Sequence, residues 1–214
     1  MPQQTKQRIL HAAIRLFNEK GLANVRLQQI ADDSGISVGN LAYHFPNKDA
    51  IVGAVYERMD EAFSAILSEY LAVPGLQDLD RLLARLYYFF AGHRFYLIDL
   101  IEVRRSFPAI EPHWQAHFRK LEAQLRMRLD FYQQKGLLQP ALDAEALDSL
   151  AQTLWMRAVL FLHRAAALHE PDHFPRFRRQ VWQPLLPWLT PQGRDAYQRD
   201  ILPVMDEDLG AGTP

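Results

Sequence analysis

Apolar residues recur at intervals of three and four along most of the chain, the spacing that places them on one face of a helix. In the first such segment Ile9, Ala13 and Phe17 share a face. Thr5 precedes this segment, and Lys20-Gly21 ends it with a cation and a residue that tolerates a left-handed backbone, which predicts a helix of about 15 residues. The same spacing predicts further helices over residues 47–72, 78–94, 95–106, 111–135 and 143–169. With no repeat or hairpin pattern between them, the predicted fold class is all-α.

Between the first predicted helix and the one over residues 47–72, the sequence predicts two short helices separated by a tight turn. Gly35 follows Asp32-Asp33-Ser34 and supplies the positive φ that closes one helix, and Ser37 offers its hydroxyl as the N-cap of the next. Two helices joined in this way are typical of the motif that lays its second helix in the DNA major groove. One side of that second helix carries Ile36, Leu41 and Phe45, and the opposite and flanking surface carries Val38, Gly39, Asn40, Ala42, Tyr43 and His44.

The predicted helix over residues 143–169 is apolar almost all round in its middle, so it needs burial on more than one side. The aromatic segment after it is interrupted by Pro184 and Pro187, and Thr190-Pro191 restarts a helix with a cap and an N1 proline. We expect the last helices of two subunits to form a symmetric four-helix interface, and ordinary core packing is the alternative. The side chains expected at this interface are Leu154, Ala158, Phe161, Leu162, Val181, Trp182 and Leu185.

Composition and charge narrow the possible functions. The chain has 214 residues, 49% of them hydrophobic, and no cysteine, which excludes disulfides, thiolate metal sites and cysteine catalysis. The first residues lack a signal-peptide core and the apolar runs are too short to span a bilayer, so we expect a cytoplasmic protein without membrane contact. Net charge is −1, but residues 1–48 hold six basic and three acidic side chains. So few positive charges can make only a few phosphate contacts. If the partner is DNA, we therefore expect a two-fold dimer, which doubles these contacts.

Two histidines stand at the spacing that lets imidazoles on one helix share a metal ion. His113 and His117 are four residues apart, with Glu111 and His93 as conceivable third ligands. No third ligand has a diagnostic spacing and no general-base carboxylate lies between the two histidines, so a polar helix face is the preferred interpretation. Phosphate-binding glycine loops, nucleophile elbows and metalloprotease motifs are also absent from the sequence, so we predict no enzyme and no cofactor.

Several spaced submotifs occupy the N-terminal quarter: Ile9-Leu10-His11-Ala12-Ala13, Leu16-Phe17-Asn18-Glu19-Lys20-Gly21, Ile30-Ala31, Gly35-Ile36-Ser37, Gly39-Asn40-Leu41, Tyr43-His44-Phe45 and Lys48. In these submotifs the chain resembles the TetR family of bacterial transcriptional regulators. The resemblance to this family implies a three-helix DNA-binding domain over residues 1–47 and a larger helical ligand-binding and dimerisation domain over residues 48–205. The acidic end, residues 206–214, is expected to be a disordered tail. Where the family places Thr or Ser at the start of its second helix, this chain has Val25-Arg26-Leu27, and Asn24 is the expected substitute N-cap.

The resemblance also implies site residues. We expect double-stranded DNA to be contacted by Arg26, Gln28, Ser37, Val38, Gly39, Asn40, Ala42, Tyr43, His44 and Lys48. Within this set Tyr43, His44 and Lys48 are expected on phosphate, whereas Asn40 and Val38 are expected on base edges, and a solvated surface is the alternative for Arg26 and Gln28. A ligand pocket is expected among Tyr88, Phe89, Tyr96, Arg105, Trp114, Phe118 and Trp155, although an aromatic stripe is often plain core.

The implied function is a homodimeric repressor that a small-molecule effector releases from a palindromic operator. An effector that moves the helix beginning at Asn47 would change the spacing of the two recognition helices. A ligand-responsive activator is the first alternative. A metal-dependent enzyme and a helical adaptor that no longer binds DNA are the others.

Overall fold

The computed structural model describes residues 2–69, 75–98 and 100–204 of the chain. This part is helical throughout apart from its turns and one isolated bridge between Leu138 and Leu189, which confirms the all-α fold class. The expected tail over residues 206–214 lies outside the described residues. The helices are α1 Pro2–Lys20, α2 Leu27–Asp33, α3 Val38–His44, α4 Lys48–Ser68, α5 Leu76–Gly92, α6 Arg94–Ile98, α7 Leu100–Ser106, α8 Glu111–Gln134, α9 Ala144–Leu168, α10 Phe174–Trp182 and α11 Pro191–Asp200.

Most helix ends fall where the sequence predicts them, because local side chains satisfy the free backbone groups there. The Asn47 side chain accepts from the Ala50 N–H at 2.8 Å and starts α4, and the Asp143 carboxylate accepts from the Ala146 N–H at 2.9 Å and starts α9. The Thr190 hydroxyl accepts from the Gly193 N–H at 3.0 Å at the start of α11. The predicted interruption after α10 is confirmed, since the chain turns into a short 3-10 helix over Leu186–Trp188.

The expected N-cap of α2 is wrong. Arg26 occupies that position, and its backbone N–H donates to the side-chain oxygen of Gln29 at 2.8 Å. The Asn24 side chain instead donates to the Lys20 carbonyl at 2.8 Å, so it closes the end of α1. Gln29, the third residue of α2, thus accepts from the N–H of the capping residue, which is the bond that a glutamine makes in a capping box.

The described residues form two compact units. The first, unit 1, combines Met1–Ser64 with Gly92–His117, and the second, unit 2, combines Ala65–Ala91 with Phe118–Pro214. The expected domain boundary at residue 47 stays a prediction. Unit 1 holds α1–α3 together with α6, α7 and the first parts of α4 and α8.

Phe95 of α6 lies at the centre of unit 1. Its ring packs edge-on against Phe17 of α1, with centroids 5.4 Å apart, and against Tyr56 of α4 at 6.2 Å. Asn18 of α1 adds polar contacts, because its side chain donates to the Gly92 carbonyl at 2.8 Å and accepts from the Phe95 N–H at 3.2 Å. The short α6 therefore joins α1 to α4 within unit 1.

Unit 2 surrounds buried ion pairs. The Arg128 Nε lies 2.6 Å from the Asp78 carboxylate, and the two side chains are 4% and 6% exposed. Asp80 accepts from the Arg178 Nε at 2.6 Å and from the Trp182 Nε1 at 3.0 Å. These contacts fix α5 against α8 and α10, since a buried charge is tolerated only when it is paired and hydrogen-bonded.

The side chains expected at the dimer interface are buried in unit 2 within a single chain, and their role at an interface stays a prediction. The seven side chains Leu154, Ala158, Phe161, Leu162, Val181, Trp182 and Leu185 are at most 3% exposed within a single chain. The Phe161 ring, for example, meets Phe177 of α10 with centroids 5.3 Å apart. Apolar periodicity predicts burial but does not say which chain covers a residue, and here α10 covers the inner face of α9. Met156 and Leu160 on the outer face of α9 are 45% and 49% exposed.

We predict that Asp78→Ala destabilises the protein by about 3–5 kcal/mol, because it leaves the buried Arg128 guanidinium without its counter-charge. Urea unfolding at a fixed protein concentration measures the change. Asp195→Ala, at an exposed position of α11, is the matched control and should cost less than about 0.5 kcal/mol. Equal losses for the two variants would contradict this account of the ion pair.

Candidate nucleic-acid interface

The turn between α2 and α3 is closed by local hydrogen bonds. The Ser34 hydroxyl donates to the Ile30 carbonyl at 2.6 Å, and Gly35 has a φ of +67°, which confirms the predicted glycine turn. Ser37 accepts from the Asn40 N–H at 3.2 Å, which confirms it as the N-cap of α3. The turn therefore sets the direction in which α3 leaves α2.

One face of α3 is buried in unit 1 and the other is open. Leu41 is fully buried and Phe45, which caps the end of the helix, is 6% exposed. Tyr43 is 83% exposed, and its ring lies edge-on to His44 with centroids 5.2 Å apart. The expected contact residues divide accordingly: Ser37, Gly39, Asn40, Ala42 and Tyr43 are exposed, whereas Val38 and His44 are half-buried.

Two expected contact residues, Arg26 and Gln28, lie at the start of α2, and Gln28 already makes a side-chain hydrogen bond. Arg26 is exposed. Gln28 is also exposed, but its side-chain amide donates to the Asp32 carboxylate at 2.7 Å, so one of its hydrogens is already engaged. A DNA contact by Gln28 must therefore use its remaining groups or replace this bond.

Lys48 has a structural contact in addition to its expected phosphate contact. Its ammonium donates to the Ala23 carbonyl at 3.1 Å and so ties the start of α4 to the α1–α2 turn. An ammonium carries three donors, so this bond leaves capacity for a phosphate oxygen. The side chain is half-buried, which limits the directions from which phosphate can approach.

One acidic side chain near the recognition helix is paired with a basic one, and a cation lies close to the end of this helix. Asp33 at the end of α2 pairs with Arg15 of α1. The Lys6 ammonium lies 5.9 Å from the centre of the Phe45 ring, which places a cation beside the end of α3. Asp33 is therefore offset by Arg15, and Lys6 is the cation that lies beside the end of α3.

The seven expected pocket residues divide between the two units. In unit 1 the Tyr96 and Trp114 rings stack with centroids 4.4 Å apart, and Arg105 is exposed. In unit 2 Phe118 meets Trp155 edge-on at 5.2 Å. Phe89 is 6% exposed and Tyr88 is 64% exposed, so these neighbours on α5 point in different directions. Their role in ligand binding stays a prediction.

The polar-face interpretation of the two histidines is wrong for His117, which is buried. Its Nδ1 lies 2.9 Å from the Tyr96 hydroxyl, and its Nε2 contacts the Asp60 carboxylate of α4. His113 is half-exposed, with its Nδ1 3.8 Å from the same carboxylate. Sequence reasoning missed Asp60, which is 57 residues away along the chain. Over residues 2–69, 75–98 and 100–204, no group of three ligating side chains is arranged to hold a metal ion.

A capped helix that follows a glycine turn and exposes one face defines a helix-turn-helix protein of the DNA-binding class. Residues 9–55 match the family model described as "Bacterial regulatory proteins, tetR family", and residues 56–197 match the model described as "Bacterial transcriptional repressor". The chain belongs to the TetR family of bacterial transcriptional regulators.

Individual relatives agree with this assignment. The HTH-type transcriptional regulator AcrR of Shigella flexneri is 32% identical over 74 residues, which is 34% of this chain and 34% of AcrR. A TetR-family regulator from Marinobacter aquaeolei VT8 has the same fold, with a TM-score of 0.80 and 22% identity over 94% of this chain and 97% of that one. SmeT of Stenotrophomonas maltophilia, in its complex with triclosan, has a TM-score of 0.57 and 20% identity over 88% of this chain and 93% of that one.

The chain spans about a third of the length of the curated relatives it matches. These relatives carry the names of transcriptional regulators. Within the described part of the chain, no helix is both long and apolar enough to cross a membrane.

We predict that Tyr43→Phe weakens binding to all DNA sequences alike, because it removes a hydroxyl from a side chain expected on phosphate. The expected loss is about 0.5–1.5 kcal/mol, or about two- to tenfold in affinity. The salt dependence should not change, since no charge is lost. Gel shifts at several salt concentrations measure both quantities.

Tyr88→Phe is the matched control, because Tyr88 is an exposed tyrosine of α5 and is not expected on DNA. It should leave DNA binding unchanged. Equal losses in the two variants, or no loss in Tyr43→Phe, would contradict the phosphate contact.

Proposed function

We propose that the protein is a homodimeric repressor that binds a palindromic operator and is released by a small-molecule effector. The observation that carries this proposal is the exposed face of α3, which a glycine turn and the Ser37 cap hold in place while Leu41 anchors its other side. A helix end fixed in this way presents Asn40 and Tyr43 to a partner at little further ordering cost.

The small excess of positive charge in residues 1–48 supports a dimer. Six basic side chains lie in residues 1–48, and Lys6, Arg15 and Lys48 are among those that already make contacts within the protein. Doubling the phosphate contacts through a two-fold axis compensates for this shortage. Two recognition helices about 34–36 Å apart would then enter successive major grooves of a palindrome.

The outer face of α9 supplies the surface that we propose for the second subunit. Exposed Met156 and Leu160 lie one turn apart, beside a groove of about 580 Å³ between α9 and α10. The groove also borders Gln180 and Gln183, and the Arg157 guanidinium donates to the Gln180 carbonyl at 3.0 Å. An apolar centre with a polar rim is the arrangement found at protein interfaces.

A small-molecule effector is supported by the aromatic side chains of the later helices. Trp155 beside Phe118 has a buried indole Nε1 without a hydrogen-bond partner among the described residues, so it can donate to a ligand. SmeT, which shares the fold, has been solved with triclosan. A coupling of about 1–3 kcal/mol between effector and DNA would change operator affinity about 5- to 150-fold, enough to switch a promoter.

Selection of binding sites from random duplexes tests the DNA-binding part of this proposal. We expect a palindrome with half-sites about one helical turn apart, bound by two chains and more weakly as salt rises. Asn40→Ala should relax the preference at one base pair of each half-site, because the amide is expected on a base edge. Recovery of random sequence by the wild type would refute sequence-specific binding, and an unchanged preference in Asn40→Ala would refute the base contact.

We predict that Met156→Glu converts the dimer to monomer, because it places a charge at the centre of the proposed interface. Light scattering at micromolar concentration measures the molar mass in solution. Met127→Glu is the matched control, since Met127 of α8 is 43% exposed and Met156 is 45% exposed. A dimer that survives Met156→Glu, or that Met127→Glu breaks equally, would place the interface elsewhere.

A further inference from the structure

A chain of polar contacts links three helices inside unit 1. Tyr96 of α6 meets the Nδ1 of His117 on α8 at 2.9 Å, and the Nε2 of the same ring meets the Asp60 carboxylate of α4. Tyr96 is 1% exposed and His117 is 4% exposed. The Phe63 ring stacks on the imidazole with centroids 4.5 Å apart and covers its face. We call Tyr96, His117 and Asp60 the three-helix chain.

In its neutral form the three-helix chain has a donor facing an acceptor at each step. The Asp60 carboxylate accepts only, so the Nε2 of His117 must carry the hydrogen that faces it. The Nδ1 of a neutral ring then has a lone pair, which accepts from the Tyr96 hydroxyl. Burial raises the pKa of Tyr96 well above its ordinary value, so this hydroxyl keeps its hydrogen.

A second proton on His117 changes both contacts. The contact with Asp60 becomes an ion pair between α8 and α4, because the ring is now charged. The Nδ1 becomes a donor, so the Tyr96 oxygen must accept and its hydrogen must turn away from the ring. Protonation therefore strengthens the link between α4 and α8 and reverses the hydrogen bond to α6.

The helix α6 carries this change to the DNA-binding helices. Phe95, the neighbour of Tyr96, packs against Phe17 of α1, and its N–H donates to Asn18. Asp60 lies on α4, which begins at Lys48, three residues after Phe45, the residue that caps α3. Two attachments of α1–α3 to the rest of unit 1, through α6 and through the start of α4, thus lie on helices that carry residues of the three-helix chain.

We infer that His117 makes operator binding respond to pH: a proton on this imidazole reverses its hydrogen bond to Tyr96 of α6, the helix that packs on α1, and weakens binding to DNA. The inference rests on the proposed function and names a means by which the same site is regulated. His117 acts here as a positioning residue, since it regulates α3 through other helices. The response falls between about pH 5 and pH 8, where histidine changes charge most readily.

The groups that face His117 come from each neighbouring helix. Asp60 and Phe63 belong to α4, Tyr96 belongs to α6, and Trp114, which stacks on Tyr96, belongs to α8. Tyr56 of α4 lies 5.8 Å from Tyr96 by ring centroids. His113 shares the Asp60 carboxylate but is more than half exposed, so its charge is screened by water.

The experiment measures operator affinity at about pH 6 and about pH 8 at one salt concentration, with the duplex obtained by selection. His117→Gln keeps a donor and an acceptor in place but takes up no proton in this range. We expect acidification to weaken the wild type about fivefold or more relative to His117→Gln. Every other titratable group is common to the two proteins, so its contribution cancels in this comparison.

His113→Gln is the matched control, one helical turn away and near the same carboxylate, and it should keep the wild-type response. Identical pH responses in the wild type and His117→Gln, or an equal loss of response in His113→Gln, would overturn the inference. If His117→Gln does not fold, Asp60→Asn takes its place in the experiment. The amide oxygen of the new side chain still accepts from the Nε2 of His117 but forms no ion pair with it.

A second measurement needs no DNA. Asp60→Asn should lower the melting temperature more at about pH 6 than at about pH 8, because the ion pair forms only when His117 is charged and is lost as pH rises. An equal drop at both pH values would also overturn the inference. Failure of the wild type to select any duplex at either pH would contradict the proposed repressor function. The melting comparison would still test the response of His117 to protons.

Discussion

The DNA-binding helices depend on the packing of Phe95. Three short helices within fewer than about 50 residues bury too little surface to be stable alone. Phe95 inserts between Phe17 and Tyr56, and the three side chains are between 1% and 6% exposed. Asn18 adds directional bonds at the same place, and hydrogen bonds fix orientation where apolar contact alone does not. The orientation of α1, and with it the turn and α3, is therefore set from a helix more than 40 residues beyond the recognition helix.

Local chemistry explains why the recognition helix could be predicted from sequence. The positive φ of Gly35 and the hydroxyl of Ser37 act on residues at most three positions away. Their effect can therefore be predicted from a short stretch of sequence. The caps at Asn47, Asp143 and Thr190 are predictable for the same reason. Asn24 shows the limit of this reasoning, because its amide is within reach of two helix ends and bonds the earlier one.

Contacts between distant segments could not be predicted in this way. The helical spacing of His113 and His117 indicates a shared face, but nothing in it shows that Asp60 and Tyr96 meet His117 there. The buried pair of Asp78 and Arg128 is equally hidden, since 50 residues separate the two. Charged residues are usually exposed, and only the packed structure shows which few are buried with a partner.

Helix α9 is apolar on two faces, and the two faces differ in what covers them. Its inner face is covered by α10 of the same chain, where Phe161 meets Phe177. Its outer face keeps Met156 and Leu160 about half exposed, although neither is needed to fill the core of unit 2. A stable interface buries about 800 Å² on each partner, more than two side chains supply. The proposed interface must therefore extend over α10 as well, and the groove beside Gln180 and Gln183 gives it that width. Sequence periodicity cannot separate the two faces, because burial by one's own chain and burial by a partner select the same residue types.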